Sequence, residues 1–386
     1  MRTYKYKIQK HKRNRYLQKD LHIISHVHNH FVALWQRHYK IYGHCEGYKR
    51  PSAFRMIKHL TKLKRLEKYQ HWRIPYSWCL QECVQRIDSG WQNFFEGRAK
   101  RAPKFRSRHK YKSMTFDGSQ VKIEDIDKAN GCPVAKIRIN RRWYRFWYSR
   151  PIEGNIKRAT VKKDFVGDWY ITITTDAQGL ETVPKTGKTA GFDFGIKDFL
   201  TCSDGTKYQS PEFYKSASTQ TKRASQALSR KQKGSNNRNR ARKDLARVHR
   251  KINRQREDHH WKLALELVRK FDTCFFEDLN LDGMKRLWGR KVSDYAFGDF
   301  MLKTKWQAQK RGKRIETIDR WTPTSKVCHT CGQIQMFFDL SIRNWYCHHC
   351  KIHHDRDINA AINIHKVGAS TFGGEDVRLA SASNPR

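Results

Sequence analysis

The sequence predicts a multidomain α+β protein: an antiparallel β-barrel interrupted by a helical insert, then an α/β domain carrying a zinc ribbon. Three observations lead there. Residues 2–8 alternate as a strand, helical periodicity follows, and period-two alternation returns only from Met114 to Thr175. Beyond residue 188, short apolar strands alternate with long helical stretches, the pattern of an α/β domain. Two Cys-x-x-Cys pairs, Cys328/Cys331 and Cys347/Cys350, interrupt that second half at metal-ligand spacing.

The first strand ends in the basic stretch 9–15. Leu17, Leu21, Ile24, Phe31 and Trp35 then recur at helical spacing, predicting an amphipathic helix that closes near Tyr42-Gly43. A Lys-rich helix is expected over 52–70. A third begins after Pro75, with Trp78, Val84, Ile87, Trp91, Phe94 and Phe95 in one stripe. Residues 98–113 form an extended basic segment. Lys104, Arg106 and Lys110, interleaved with aromatics, are candidate nucleic-acid contacts, against the alternative of a solvated linker.

Strands are expected at Ser119–Ile123, Val134–Ile139, Trp143–Tyr148, Ile156–Lys163 and Trp169–Thr174, closing with the first strand into a barrel. Residues 178–188 read as a linker, and strands at 189–194 and 198–202 flank Gly195. Over 215–256 a helical hairpin carries fifteen Lys+Arg and one acid, Asp244. Its Ala241, Leu245, Val248 and Ile252 follow heptad-like spacing, so one face packs and the rest suits a polyanion. After Thr371 a disordered tail is expected.

Eighty Lys+Arg against thirty-six Asp+Glu leave a formal charge of +44 on 386 residues. A compact chain this cationic repels itself, so its partner is expected to be a polyanion, above all nucleic acid. No apolar run approaches the roughly twenty residues that span a bilayer. The charged start, Met-Arg-Thr-Tyr-Lys-Tyr-Lys, lacks a signal-peptide core, so a cytoplasmic protein without a membrane partner is expected. Of ten cysteines, the six outside the two pairs are scattered and read as reduced thiols. Cys79 and Cys83, four apart, would be half a metal site with no second pair nearby.

Two acids stand in apolar, strand-like settings where desolvation is costly, and a third lies at an acidic helix start. Asp193 lies between Phe192 and Phe194, and strand alternation puts both rings on one face and Asp193 on the other. Glu277 follows Phe275-Phe276 at the end of another strand. Asp357 opens a helix whose Ala360, Ala361, Ile362 and Ile364 face a core. Convergent carboxylates suit the two divalent ions of phosphodiester hydrolysis, and Mg²⁺ takes few protein oxygens, so a metal-dependent nuclease is expected. Asp355 reads as the cap of that helix, and capping is the alternative to a metal role for Asp357 too. Asp278 and Asp198 read as supporting or structural.

Cys328, Cys331, Cys347 and Cys350 would clamp a tetrahedral zinc, with a short hairpin between the pairs that includes Phe337, Phe338, Trp345 and Tyr346. His329, His348 and His349 are competing ligands. Four thiolates close the site to water, so the zinc would be structural.

In order, Gly-x-Asp-x-Gly-Ile-Lys (191–197), Phe-Glu-Asp-Leu (276–279), Thr-Ser-x-x-Cys-x-x-Cys-Gly (324–332), Cys-x-x-Cys (347–350) and Asp-Arg-Asp-x-Asn-Ala-Ala-x-Asn-Ile (355–364) span the second half. This set resembles the TnpB (OrfB) proteins of bacterial insertion sequences, which share a RuvC-like core with compact type V CRISPR effectors. Gly90-Trp-Gln-Asn-Phe-Phe95 and Pro103-Lys-Phe105 are similar to that family's N-terminal region. The resemblance implies a wedge β-barrel over 1–10 and 110–180, and a helical recognition lobe over 11–109. It implies a RuvC/RNase H-like nuclease domain over 186–320 and 352–370, with a zinc-ribbon target-nucleic-acid-binding insert at 321–351 and a tail at 371–386.

The implied activity is RNA-guided cleavage of guide-complementary double-stranded DNA beside a short transposon-adjacent motif. Two Mg²⁺ would be held by Asp193, Glu277 and Asp357, and one structural Zn²⁺ by the four cysteines. The guide RNA would derive from the transposon end, no protein oligomer would be required, and the protein would be cytoplasmic, nucleoid-associated when on DNA. Gln81 is the candidate base reader, because Gln bonds adenine bidentately. Two alternatives are a guide-dependent DNA-binding repressor without cleavage and a DNA-strand-transferring transposase.

Overall fold

The computed structural model describes residues 1–45, 47, 50–129, 132–177, 183–335 and 342–372, with the backbone alone at 125–129 and 132. The chain divides into two units, Met1–Gly179 and Leu180–Arg386.

In the first unit, β1 (Arg2–Lys7) buries Tyr4 and Tyr6 from alternate positions. Helix α1 (Asn14–Tyr42) buries Leu17, Leu21, Ile24, Phe31 and Trp35 on the expected face. Helix α2 (Ala53–Leu63) is shorter than the 52–70 expected: the chain leaves it at Lys64 and makes a 3-10 turn, Glu67–Arg73, that buries Trp72. Ser52 caps α2 by accepting from the Arg55 N–H. Helix α3 (Ser77–Phe95) stacks Trp91 on Trp35, ring centroids 4.8 Å apart. A methyl group on Gly90 would lie 3.0 Å from the Pro103 ring, so the two halves of the N-terminal motif are packing partners.

Helix α1 also holds the basic segment. The Asn29 side chain donates to the Arg106 carbonyl and accepts from the Arg106 N–H, both at 2.9 Å, and Gln36 donates to the Pro103 carbonyl at 3.1 Å. The backbone is pinned while Lys104, Arg106 and Lys110 stay exposed.

Strands β2 (Ser113–Asp117), β3 (Lys122–Ala129), β4 (Cys132–Ile139), β5 (Arg142–Trp147), β6 (Ile156–Lys163) and β7 (Trp169–Thr175) complete this unit. They do not close into the expected barrel. Two antiparallel sheets form instead, β1-β7-β6-β2 and β3-β4-β5. Among the described residues an isolated bridge, Ile8 to Phe146, is what links them. Alternation marks which face of a strand is buried but not which strand it pairs with, so closure was beyond its reach.

The second unit is α/β. Strands β8 (Thr189–Asp193), β9 (Leu200–Cys202) and β10 (Lys207–Tyr208) form a meander, followed by helices α4 (Phe213–Ser216), α5 (Ser218–Ser229) and α6 (Asn236–Lys270). Then come β11 (Thr273–Glu277), α7 (Leu281–Tyr295), α8 (Phe297–Lys310) and β12 (Arg314–Ile318). The sheet order is β10-β9-β8-β11-β12, with β8, β11 and β12 parallel. The cationic hairpin is α5 and the start of α6. Helix α6 continues past the expected 256 to bury Leu263, Ala264, Leu267 and Val268. The last elements are β13 (Asn344–Tyr346), β14 (His353–Asp355) and α9 (Arg356–Phe372). Thr371 and Phe372, expected in the tail, belong to α9. The rest of that tail and Phe337 and Phe338 lie outside the described residues. Among the described residues no helix is long and apolar enough to cross a membrane.

Candidate active site and zinc-type cluster

The parallel strands β8 and β11 run side by side, with Phe192 opposite Phe276. Asp193 and Glu277 are therefore neighbours at the carboxyl ends of adjacent parallel strands, where open α/β sheets bind ligands. Phe192 and Phe194 both stack on Phe276, at 5.0 and 5.5 Å, which turns Asp193 away from the core as alternation predicted.

Helix α9 supplies the third acid. It lies so close to β8 that a side chain on Gly191 would collide with the α9 backbone at Ala361 and His365; one on Gly368 would strike Phe275 of β11. Two glycines thus set the depth of α9 on the sheet. Asp355 accepts from the N–H groups of Asp357 and Ile358 at 2.9 and 3.1 Å, capping α9 as expected. Asp357, in the first turn, is buried.

The three acids share one electrostatic neighbourhood. Burial pushes the Asp193 carboxyl well above the usual range, and the charges of Glu277 and then Asp357 push it further, against Arg356 and Arg343. Glu277 is raised by burial and then by Asp278. Asp278 itself is exposed and paired with Arg320. The buried Asp198 pairs with Lys207 at 3.7 Å.

One residue of this site escaped the sequence reading. Arg343, just before β13, donates from Nη1 to both Asp357 oxygens, at 2.9 and 3.2 Å, while its carbonyl accepts from the Arg356 N–H at 2.7 Å. The only signal was a lone arginine four residues before Cys347. Among the described residues the three carboxylates do not close to ligand distance around one point; the four cysteines do.

Those four sulfurs lie within 4.8 Å of one another. The pairs Cys328–Cys350 and Cys331–Cys347 are each 3.6 Å apart, close to the roughly 3.8 Å edge of a tetrahedron with Zn–S bonds of about 2.3 Å. Backbone N–H groups of Cys350 and His349 bring Cys347 down to about 6, whereas burial and its thiol neighbours push Cys350 up to about 12. So many thiols cannot ionise together without a cation among them, and the donor set fits Zn²⁺. None of the expected competing histidines reaches the sulfurs among the described hydrogen bonds. His354 does, with Nε2 3.1 Å from the Cys328 sulfur, placed to donate to it.

Helix α9 also grips this cluster. Asn359 donates to the Val327 carbonyl at 2.8 Å and accepts from the His329 N–H at 2.9 Å. One turn later Asn363 donates to the carbonyls of Thr324 and Val327. The two asparagines of the Asp-x-Asn-Ala-Ala-x-Asn motif thereby tie the knuckle to the helix that carries Asp357.

Cys79 and Cys83 are buried, and Cys83 accepts from the Tyr111 hydroxyl at 3.4 Å. Burial pushes the Cys83 thiol up to about 11, and neither cysteine joins a metal-holding group among the described residues. Gln81 is half-buried on α3.

Two family models match the chain. One described as a probable transposase, OrfB_IS605, covers residues 169–287 and so contains Asp193 and Glu277. One described as a Cas12f1-like TNB domain covers 297–364, with the four cysteines and Asp357. A Streptomyces pristinaespiralis protein named "putative RNA-guided DNA endonuclease" is 31% identical over 338 residues, 86% of this chain and 81% of that protein. The chain belongs to the TnpB (OrfB) family. A second relative, the Escherichia coli K12 protein named "putative RNA-guided DNA endonuclease InsQ", is 24% identical over 354 residues, 87% of this chain and 86% of its own. Among solved structures, a Cas12f1–sgRNA–target DNA complex matches 92% of this chain and 83% of its own at a TM-score of 0.58. At 14% identity that likeness is one of fold.

Proposed function

We propose that this chain is a RuvC-type, RNA-guided DNA endonuclease that cuts guide-complementary double-stranded DNA beside a short transposon-adjacent motif. The observation that carries the reading is the placing of Asp193 and Glu277 at adjacent parallel strand ends, with Asp357 in the first turn of the helix packed on β8. An Asp193 carboxyl raised by burial and by the charges of Glu277 and Asp357 persists in a fold only when something compensates that repulsion. Two Mg²⁺ held there would activate the attacking water and stabilise the leaving oxygen. The chain's own part is to fix the three carboxylates on rigid elements and to present Arg343 beside them. The four-cysteine cluster would hold Zn²⁺ as a structural ion.

Sequence choice would rest with base pairing between guide and target, and the +44 chain would bind backbone. The guide would come from the transposon end, with a single chain sufficient. Residues 1–10 and 110–180 would form the wedge domain and 11–109 the recognition lobe, with Gln81, Lys104, Arg106 and Lys110 on nucleic acid. Residues 186–320 and 352–370 would form the nuclease domain around the 321–351 ribbon, in the cytoplasm.

The test is to purify the full chain with its RNA, sequence that RNA, and add matching duplex DNA with randomised flanks and Mg²⁺. Cutting at guide-matched sites beside one short motif is expected. Uncut DNA that stays bound would overturn the nuclease and leave a binding protein; joined DNA ends would point to strand transfer.

A further inference from the structure

The hairpin tip between β6 and β7 displays an aromatic ring in water. Phe165 is 81% exposed, so it adds little to any core. The loop under it is rigidly built. Asp164 Oδ1 accepts from the N–H groups of Val166, Gly167 and Asp168 at 3.0, 2.7 and 2.8 Å, and the Asp164 N–H donates to the Asp168 carbonyl at 2.8 Å. Gly167 takes φ +105°, a conformation that side chains resist. Holding an apolar ring in solvent on so ordered a tip gains nothing for folding.

The surroundings are cationic. Lys112 Nζ sits 3.6 Å from the centre of the Phe165 ring, on one face. Nearby acids are already engaged: Asp164 by the three N–H groups, and buried Asp168 by Lys7 and Lys10 at 3.2 and 3.6 Å. Lys10 in turn lines a cavity of about 320 Å³ together with Arg13, Trp143 and Arg145, so this lysine, through its pair with Asp168, joins the cavity to the base of the tip. A volume near 300 Å³ suits a ligand the size of one nucleotide.

From this we infer that Phe165 and the cationic cavity beside it form a site for one unpaired nucleotide of a bound RNA, the base stacking on Phe165 and the phosphate lying over the lysines and arginines. An aromatic face flanked by cations accepts any base. RNA is the better source than a DNA duplex, because folded RNA splays single bases out for stacking while a duplex keeps them stacked. The site rests on the RNA-guided reading above and adds a contact to it.

The test uses the full chain with the RNA that co-purifies with it. Ultraviolet cross-linking followed by peptide mass spectrometry should give a ribonucleotide adduct on Phe165. Phe165→Ala should weaken retention of that RNA about tenfold at fixed salt, the scale of one lost base stack, with an unchanged melting temperature; Phe165→Trp should restore it. Unchanged retention and no adduct at Phe165, with adducts elsewhere on the chain, would overturn the site but not the RNA-guided reading. A deoxyribonucleotide adduct at Phe165, from added target DNA, would overturn the RNA assignment. Wild-type protein that carries no RNA would overturn both.

Discussion

The second unit holds two clusters of potential anions that solve the same electrostatic problem differently. The cysteine cluster is local: four thiols from two tight turns, all within 4.8 Å, fit a single ion. The carboxylate cluster is assembled from β8, β11 and α9, stays wider, and carries its own counter-charge in Arg343, 2.9 Å from Asp357. One arrangement is spent on holding a module together. The other, on the proposed reading, would take exchangeable ions, at a cost to stability.

That contrast can be broken most forcefully at the thiols. Cys347→Ser should remove most of a metal-linked stabilisation of roughly 10 kcal/mol, releasing zinc and making 321–351 sensitive to protease. Metal analysis and limited proteolysis check it, and a variant that keeps both zinc and resistance would refute the structural role. The carboxylate side should respond in the opposite sense. Asp193→Asn relieves repulsion among the three acids and should stabilise the protein without added divalent metal, its zinc retained, by about 1–3 kcal/mol at neutral pH.

The pH dependence follows from the same residue. Folded Asp193 holds its proton more tightly than the unfolded chain does, so its contribution is fully present below about pH 4 and is lost as pH rises through the raised folded value. Melting curves of zinc-loaded wild type and Asp193→Asn without added Mg²⁺ should therefore coincide in acid and diverge towards neutrality.

Two smaller effects sharpen the boundary between the clusters. Asn363→Ala removes two hydrogen bonds from α9 to the knuckle and should cost about 1–2 kcal/mol by thermal denaturation while zinc content holds. Asp278→Asn breaks only an exposed pair with Arg320. It should change stability by less than about 1 kcal/mol and leave cleavage intact, separating Asp278 from its neighbour Glu277.

How much of this was legible in the sequence depended on how local each feature is. The Cys-x-x-Cys pairs, the stripe of α1 and the strands β6 and β7 are written within a few turns of chain, so periodicity and spacing reach them. The placing of Asp193 opposite its flanking phenylalanines followed from alternation alone. Sheet pairing in the first unit did not, because two open sheets and one barrel demand the same alternating residues. Arg343 was invisible for a related reason: nothing about a single arginine in a basic chain says that a helix start fourteen residues later will meet it. The glycines at 191 and 368 act across the fold as well, and only the approach of α9 shows what they permit.

The central claim is that Asp193, with Glu277 and Asp357, holds cations for hydrolysis while the cysteines hold a different ion for structure. The most direct measurement pairs bound Mn²⁺ with cleavage of guide-matched DNA for wild type and Asp193→Asn, each carrying its RNA. The account predicts that the variant loses Mn²⁺ binding and all detectable cutting, yet keeps its zinc and its RNA. A variant that still cuts at the wild-type rate would contradict it.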